Sequence, residues 1–425
     1  MISPRNANGC NSGNGARSSS ADKSTRAEAP RRRSASLAVP QPRLGVIGLG
    51  VLLVLANTLI PLSLDIYTPA VPEMPAHFGT TESMVNLTVA GFFLFLAVGM
   101  LAFGPVSDRV GRKPVLVAGM GAYTLGSAIC AVSPTIEMLI AARVVQALGA
   151  GGALAASTAV VKDSFDEERS MAMLSVIQTV SVLGPIAAPL IGGAILLVAD
   201  WRTIFWVLAI AGAACLALSM LYRETLSADE RPSESLARTF ARLGNVLRNR
   251  RFDKILVASG MFNVPFMAYI AVGSYTYVDF FGQTQQVYTY FFAATAAVSA
   301  FGPLLFMRLK RVINPARLIY VCLALGIAAG AGLVAFCQAS LWGFAGMMCL
   351  FALLEAMTRP YLTTELLYAN PSDTGSASAM LNFGITALGC VGMAVIMAPF
   401  PNYVVGIGVI MMASMAIAVP LWFRR

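Results

Sequence analysis

Two ionisable residues stand where the chain is otherwise apolar. Asp65 interrupts the run from Leu44 to Pro72, and Arg143 is isolated between residues 138 and 161. A charge at membrane depth costs about 2.5–3.5 kcal/mol on insertion scales, so it marks a functional position by default. A carboxylate there can take up and release a proton as its surroundings change. It can also be a hydrogen-bonded structural acid at the mouth of a span. A guanidinium keeps its charge, so Arg143 either biases an acid such as Asp65 or ties helices together. Asn57 lies two turns before Asp65 on roughly the same face, and Gln146 one turn after Arg143. Glu355 and Arg359 are four residues apart, a spacing that pairs charges along one helix face. Glu355 has a second reading, as a further protonation or substrate group.

A different chemistry is suggested by the stretch Gly104-Pro105-Val106-Ser107-Asp108-Arg109-Val110-Gly111-Arg112-Lys113. Its glycines and proline predict a tight reversal between two spans. Asp108 stands among three cations and can form charge-assisted bonds with them, or meet the N-terminus of a neighbouring helix. Such a contact can hold one state of a hinge and release it in another. Asn263, Tyr269, Tyr275 and Tyr277, with Tyr288, Tyr290, Phe291 and Phe292, are candidates for an aromatic cavity wall. The commoner fate of such residues in membrane spans is to face lipid or the interface.

The elements that position these groups must be membrane helices. Of 425 residues, 57% are apolar and 12% charged, against about 25% charged in soluble domains. The apolar runs are continuous, whereas strands of a lipid-facing barrel alternate. Twelve spans are predicted, at about 44–72, 83–105, 114–133, 137–161, 170–199, 202–222, 254–278, 287–307, 317–338, 341–367, 374–398 and 402–423. All the lysines and arginines except Arg143, Arg202 and Arg359 fall in the tails and alternate loops on one side. By the positive-inside bias that side is cytoplasmic, with both termini on it. The net charge of +9 is therefore a topology signal and predicts no nucleic-acid partner.

The segment 223–253 divides six spans from six. Gly104-Pro105 and Gly302-Pro303, each followed by basic residues, stand at matching places in the two sixes. The expected fold is all-α, with twelve transmembrane helices in two related six-helix bundles. Its parts are a disordered basic tail 1–43, a first bundle 44–222, a central loop 223–253 and a second bundle 254–425. The tail is rich in Ser, Arg, Ala and Pro, a composition that cannot bury a core. Seven cysteines without paired spacing and a lone histidine, His77, offer no metal set. No cofactor and no metal are expected. An enzyme is not expected either, because neither a phosphate-binding glycine loop nor a catalytic cluster is present in the sequence.

The stretch from Gly104 to Lys113 resembles the signature loop of the major facilitator superfamily, G-x-x-x-D-R-x-G-R-[RK], at every fixed position. The resemblance gives Gly104, Asp108, Arg109, Gly111, Arg112 and Lys113 the role of a conformational switch loop. Arg143-Val144-Val145-Gln146-Ala147 is similar to the family's R-x-x-Q-G element, with Ala147 for glycine. Gly184-Pro185 with Ala188-Pro189 and Gly192-Gly193 resembles its antiporter signature, with Ala188 for glycine. Asp65-Ile66-Tyr67-Thr68-Pro69, Trp201-Arg202-Thr203 and Gly375-Ser376-Ala377 narrow the likeness to the bicyclomycin-resistance and chloramphenicol-efflux branch of the proton-coupled drug antiporters. The resemblance covers about 44–423, densely in the first half and diffusely in the second. It implies a monomer in a bacterial inner membrane that exports small hydrophobic or amphipathic drugs against protons, with Asp65 linked to proton and substrate. The alternative cargo is an endogenous amino acid, sugar or metabolite.

Overall fold

The computed structural model describes residues 39–227, 229, 231, 236–369 and 374–423. Most of the tail 1–43, part of the central loop and the final Arg424-Arg425 lie outside the described residues. Twelve helices among those described are long and apolar enough to cross a membrane. Their bounds follow the predicted spans because each apolar run ends on a polar residue that starts or stops a helix. The Thr135 hydroxyl accepts from the Met138 amide, the Asp200 carboxylate from Thr203 and the Asn314 amide oxygen from Ala316. These side chains satisfy backbone donors that have no partner in the first turn.

The first half holds α1 (Gly45–Asp65), α2 (Met74–Phe78), α3 (Glu82–Val110), α4 (Arg112–Val132), α5 (Ile136–Ser164), α6 (Glu167–Leu196) and α7 (Trp201–Leu221). A 3₁₀ turn, Thr68–Glu73, joins α1 to α2. The central segment is not all loop, because α8 (Leu236–Val246) forms within it and buries Leu243 and Val246. The second half holds α9 (Arg250–Tyr275), α10 (Gln285–Ala300), α11 (Gly302–Leu309), α12 (Pro315–Phe336), α13 (Leu341–Ala369), α14 (Thr374–Val395) and α15 (Tyr403–Phe423). A π-helical turn, Thr276–Phe280, ends α9.

Within the first half α5 packs on α3 and α4, and α1 on α6; within the second, α9 packs on α14 and α15, and α10 on α13. The two halves meet along α3 with α14 and along α6 with α10. Lipid gives apolar side chains little reason to prefer each other, so close approach depends on small residues. A methyl added at Gly149 would lie 2.5 Å from the Gly119 carbonyl oxygen, and one at Gly126 would lie 2.7 Å from the Gln146 amide nitrogen. The backbones of α4 and α5 therefore touch.

The predicted reversal at Gly104-Pro105 is corrected by the structure. Pro105 lies inside α3, which runs on to Val110, and the chain turns only at Gly111, whose φ is 118°. A single proline removes one amide donor, and a 29-residue helix packed along one side on α5 tolerates that loss. At the matching Gly302-Pro303 the helix does break, with Pro303 in the first turn of α11.

Candidate functional site

The two halves enclose a cavity of about 730 Å³. Its middle is lined by Phe93, Leu96, Met100, Leu154, Met267 and Phe383, with the amides of Asn263 and Asn382 beside them. One mouth carries Asp108, Arg112, Lys162 and Asp163 from the first half and Arg359 from the second. These belong to the strongly basic end of the molecule. At the opposite end the halves are tied together. Gln285 donates to Glu73 at 2.7 Å, Asn86 to the Met393 carbonyl at 2.8 Å, and Tyr275 to the Val71 carbonyl at 3.4 Å. Tyr403 also bonds Glu82 there. The structure is open toward the basic end and shut at the other.

The switch-loop residues gather at the open mouth. Arg112 pairs with Asp108 and, at 2.8 Å, with Asp163 of α5. Glu224, just beyond α7, accepts from the backbone amides of Arg112 at 3.1 Å and Lys113 at 2.9 Å. A carboxylate there satisfies the first amides of α4 and sits at the positive end of its dipole. Asp108 therefore serves Arg112, and Glu224 takes the helix terminus. Lys113 reaches the Met220 carbonyl at 2.9 Å. The strap continues on one side to Gln41, whose side chain exchanges two hydrogen bonds with the Arg223 backbone at 2.8 and 2.9 Å. On the other side the Tyr222 hydroxyl shares a hydrogen with Thr225 at 2.5 Å. Burial pushes the Tyr222 phenol above its usual range, so it stays a neutral hydroxyl at physiological pH.

Arg143, 1% exposed, is held entirely by neutral groups. It donates to Gln146 at 2.9 Å and to the Thr88 carbonyl at 3.2 Å, and lies 3.5 Å from the Ser63 carbonyl. Its guanidinium sits 4.1 Å from the Phe92 ring centroid, 5.2 Å from Tyr67 and 5.7 Å from Phe205. Desolvated cation–π contacts contribute about 2 kcal/mol, which offsets much of the cost of the charge. Gln146 passes the network to Ser127 at 2.7 Å. Arg143 forms no ion pair among the described residues, with Asp65 or any other acid.

Asp65 ends α1 and is 6% exposed. It has no ion-pair partner among the described residues and does not line the cavity. Asn57 also lies off the cavity, bonding Leu53 at 2.7 Å and Ser157 at 3.0 Å to tie α1 to α5. The expected Glu355–Arg359 pair forms at 2.7 Å, with Arg359 in the cavity wall and Glu355 behind it. In the antiporter stretch, Gly184 faces Pro61 of α1, where a methyl would lie 3.9 Å from the proline ring, and Pro185 and Pro189 lie inside α6. Gly192 packs on the Ile66 carbonyl and Gly193 on Thr289 of the other half. No group able to hold a metal ion occurs among the described residues.

The expectation that the second-half aromatics mostly face lipid is overturned. Tyr269, Tyr275, Tyr277, Tyr288 and Phe292 are buried, while Tyr290 is 63% exposed. Asp163 and Glu224 are the site residues that sequence reasoning missed. Each acts on the loop across more than 50 residues of chain, with no local pattern to reveal it.

The family model described as Major Facilitator Superfamily matches residues 53–394. An uncharacterised transporter of the same type, YdgK of Bacillus subtilis, is 31% identical over 291 residues, covering 68% of this chain and 72% of that protein. The multidrug resistance protein MdtL of Escherichia coli is 28% identical over 246 residues, or 57% of this chain. The match spans 61% of MdtL. Among solved structures, a peptide transporter POT in complex with sulfate superposes with a TM-score of 0.73 at 14% identity, covering 90% of this chain and 95% of that one. A D-xylose–proton symporter gives a TM-score of 0.65 at 15% identity, covering 87% and 96%. At these identities the likeness is one of fold.

Proposed function

This chain belongs to the major facilitator superfamily, and from that premise we propose that it is a secondary antiporter exporting hydrophobic or amphipathic drugs in exchange for protons. The observation that carries the proposal is the separation of two sites. A wide cavity with an apolar, uncharged middle opens at the basic end. A lone buried carboxylate, Asp65, lies outside that cavity. In an antiporter, cargo and proton need opposite access, and the likeness to MdtL supports a drug as the cargo. The basic end is the cytoplasmic one on this reading, in a bacterial inner membrane, and the bicyclomycin- and chloramphenicol-type drugs are the first candidates.

Export follows from alternating access. Drug enters the open cavity from the cytoplasm or inner leaflet and packs against Phe93, Met100, Met267 and Phe383. Rocking of the halves about the α3–α14 and α6–α10 seams closes the basic mouth and parts the opposite end. Proton binding at Asp65 favours the return, because coupling requires the ligand to bind the two states unequally. In proteoliposomes with an imposed proton gradient, Asp65→Asn is expected to abolish drug-driven proton movement. Normal coupled efflux in that variant would sink the assignment.

A polar metabolite is the second reading, favoured by the Asn263 and Asn382 amides in the wall. Counterflow of labelled amino acids or sugars, set beside a drug-susceptibility panel in an efflux-deficient host, separates the two cargo classes.

A further inference from the structure

The wall of the cavity differs in kind between its two sides. From the first half, α3 contributes Phe93, Ala97 and Leu101, spaced four residues apart and so in one row of hydrocarbon. From the second half, α14 contributes Ser378, Asn382 and Thr386, spaced four apart and so in one row of hydrogen-bonding groups. The ionisable groups of the wall are confined to the mouth, at Asp108, Arg112, Lys162, Asp163 and Arg359. Thr158 of α5 also reaches the cavity, but its hydroxyl is turned to its own helix and donates to the Leu154 carbonyl at 2.9 Å.

Two ties fix how the rows face each other. At the closed end Asn86 of α3 donates to the Met393 carbonyl of α14 at 2.8 Å, and one turn further the Cys390 thiol donates to the Ala90 carbonyl at 3.6 Å. Residue numbers rise along α3 as they fall along α14, so the two helices run antiparallel. Counted from these ties toward the mouth, Phe93 comes level with Thr386, Ala97 with Asn382 and Leu101 with Ser378. Past the ties the helices part, and the cavity occupies the space between the rows.

Both asparagines of the second-half wall have engaged their nitrogen and kept their oxygen. Asn382 donates through Nδ2 to the Ser378 carbonyl at 3.1 Å, and Asn263 of α9 donates through Nδ2 to the Ile385 carbonyl at 3.0 Å. A carbonyl can only accept, so these partners identify the nitrogen end of each amide. Gly389 makes room for the second of them, since a methyl there would lie 2.5 Å from the Asn263 nitrogen. Asn263 is 2% exposed, yet its Oδ1 has no hydrogen-bond partner. The Asn382 Oδ1 has none among the described residues. Native interiors leave few such acceptors unused, so two amides held this way in one wall point to a donor that arrives from outside.

We propose that the α14 row is the hydrogen-bonding edge of the cargo site, where Asn382 Oδ1 accepts from a hydroxyl or N–H of an uncharged cargo whose apolar face lies on Phe93, Ala97 and Leu101. Thr386 adds a hydroxyl to the same edge, and Asn263 stands beside it with a second acceptor. Unused acceptors select for donors, because a cargo without them leaves the oxygens desolvated and unpaired. An ionic head finds no opposite charge at that depth and loses its hydration there. The rows belong to opposite halves, so a cargo with two unlike faces contacts both as the mouth closes. The inference rests on the cavity being the cargo site.

Equilibrium dialysis of the full-length protein in lipid nanodiscs reads this preference without a proton gradient, with empty nanodiscs as the lipid background. The probes are chloramphenicol, which is uncharged and carries hydroxyl donors, its diacetate, in which those donors are masked, and tetraphenylphosphonium, an apolar cation with no donor. Chloramphenicol is expected to bind at least about tenfold more tightly than either of the others. Asn382→Leu brings chloramphenicol down to the level of the diacetate and leaves the diacetate unchanged. Thr386→Val, which keeps the side-chain shape, weakens chloramphenicol alone by about threefold. Thr158→Val preserves the full preference. Equal binding of chloramphenicol and its diacetate, or tightest binding of tetraphenylphosphonium, overturns the inference and leaves the drug cavity standing. A full preference in both Asn382→Leu and Thr386→Val overturns it as well. If none of the three probes binds, the reading of the cavity as a drug site fails and takes the inference with it.

Discussion

The two halves share one helical plan yet centre it on opposite kinds of side chain. The first half is organised around a buried cation, with Arg143 clamped by Gln146, two carbonyls and three aromatic faces. The second half instead buries neutral aromatics, with Tyr269, Tyr277, Tyr288, Phe292 and Phe344 packed ring against ring. A buried charge must collect partners to exist in lipid, and Arg143 has them for all its donors but Nη2. Tyrosine hydroxyls survive without partners at a smaller cost. The contrast is between a half netted by hydrogen bonds and a half filled by rings.

Arg143→Ala puts the largest strain on that comparison. It removes two good hydrogen bonds from a charged donor, each contributing about 1.5–3 kcal/mol, and strands the Gln146 carbonyl and the Thr88 carbonyl. A loss of about 3–6 kcal/mol is expected, seen as a fall in yield and in thermal unfolding temperature in detergent. A variant as stable as wild type would show that the first half is not framed by its cation.

Next in size is Gly149→Ala. The new methyl would lie 2.5 Å from the Gly119 carbonyl oxygen, so α4 and α5 must part. Overpacking of this kind costs about 1–3 kcal/mol. Gly104→Ala is the control, since nothing lies within 4 Å of that position. Equal unfolding temperatures for the two variants would break the picture of a backbone-packed first half.

Glu224→Ala is expected to cost about 1 kcal/mol, in the range of a lost helix cap. It frees the Arg112 and Lys113 amides at the mouth of the cavity. Hydrogen exchange in the first turn of α4 should quicken, while that of α9 stays unchanged. Uniform exchange across both helices would show that the strap is not local to the first half.

Why the first half was readable from its sequence and the second was not follows from the same contrast. A lone Arg143 or Asp65 in an apolar run announces itself, because the cost of burying charge makes chance placement rare. The close-packing glycines of α4 and α5 carry no such mark, and the reversal read at Gly104-Pro105 falls at Gly111. Tyr269 or Tyr288 carries no such mark, since a tyrosine suits a protein core and a membrane interface equally well. Only tertiary packing decides, which is why burial of that cluster was missed. Proline misled for a related reason. Pro105 reads as a turn residue, yet packing along α3 overrode it, while Pro303 in the same motif opens a new helix. Contacts made by Asp163 and Glu224 depend on where distant chain ends meet, and no local spacing encodes that.

The smallest expected effect is the sharpest test of the ring-filled second half. Tyr277 is fully buried, and its hydroxyl has no hydrogen-bond partner. Its ring stacks on Phe291 at 5.2 Å and meets the edge of Phe344 at 5.4 Å. Tyr277→Phe keeps the ring and removes only the unsatisfied oxygen. Deleting an unpartnered buried polar group is close to neutral or stabilising, because the desolvation penalty goes with it. The unfolding temperature in detergent should therefore stay level or rise, by an amount equivalent to no more than about 1–3 kcal/mol. A destabilisation of that size would show that the hydroxyl is bonded in the folded protein. The tyrosine cluster would then be a frame like the Arg143 network, and the division between the halves would fall.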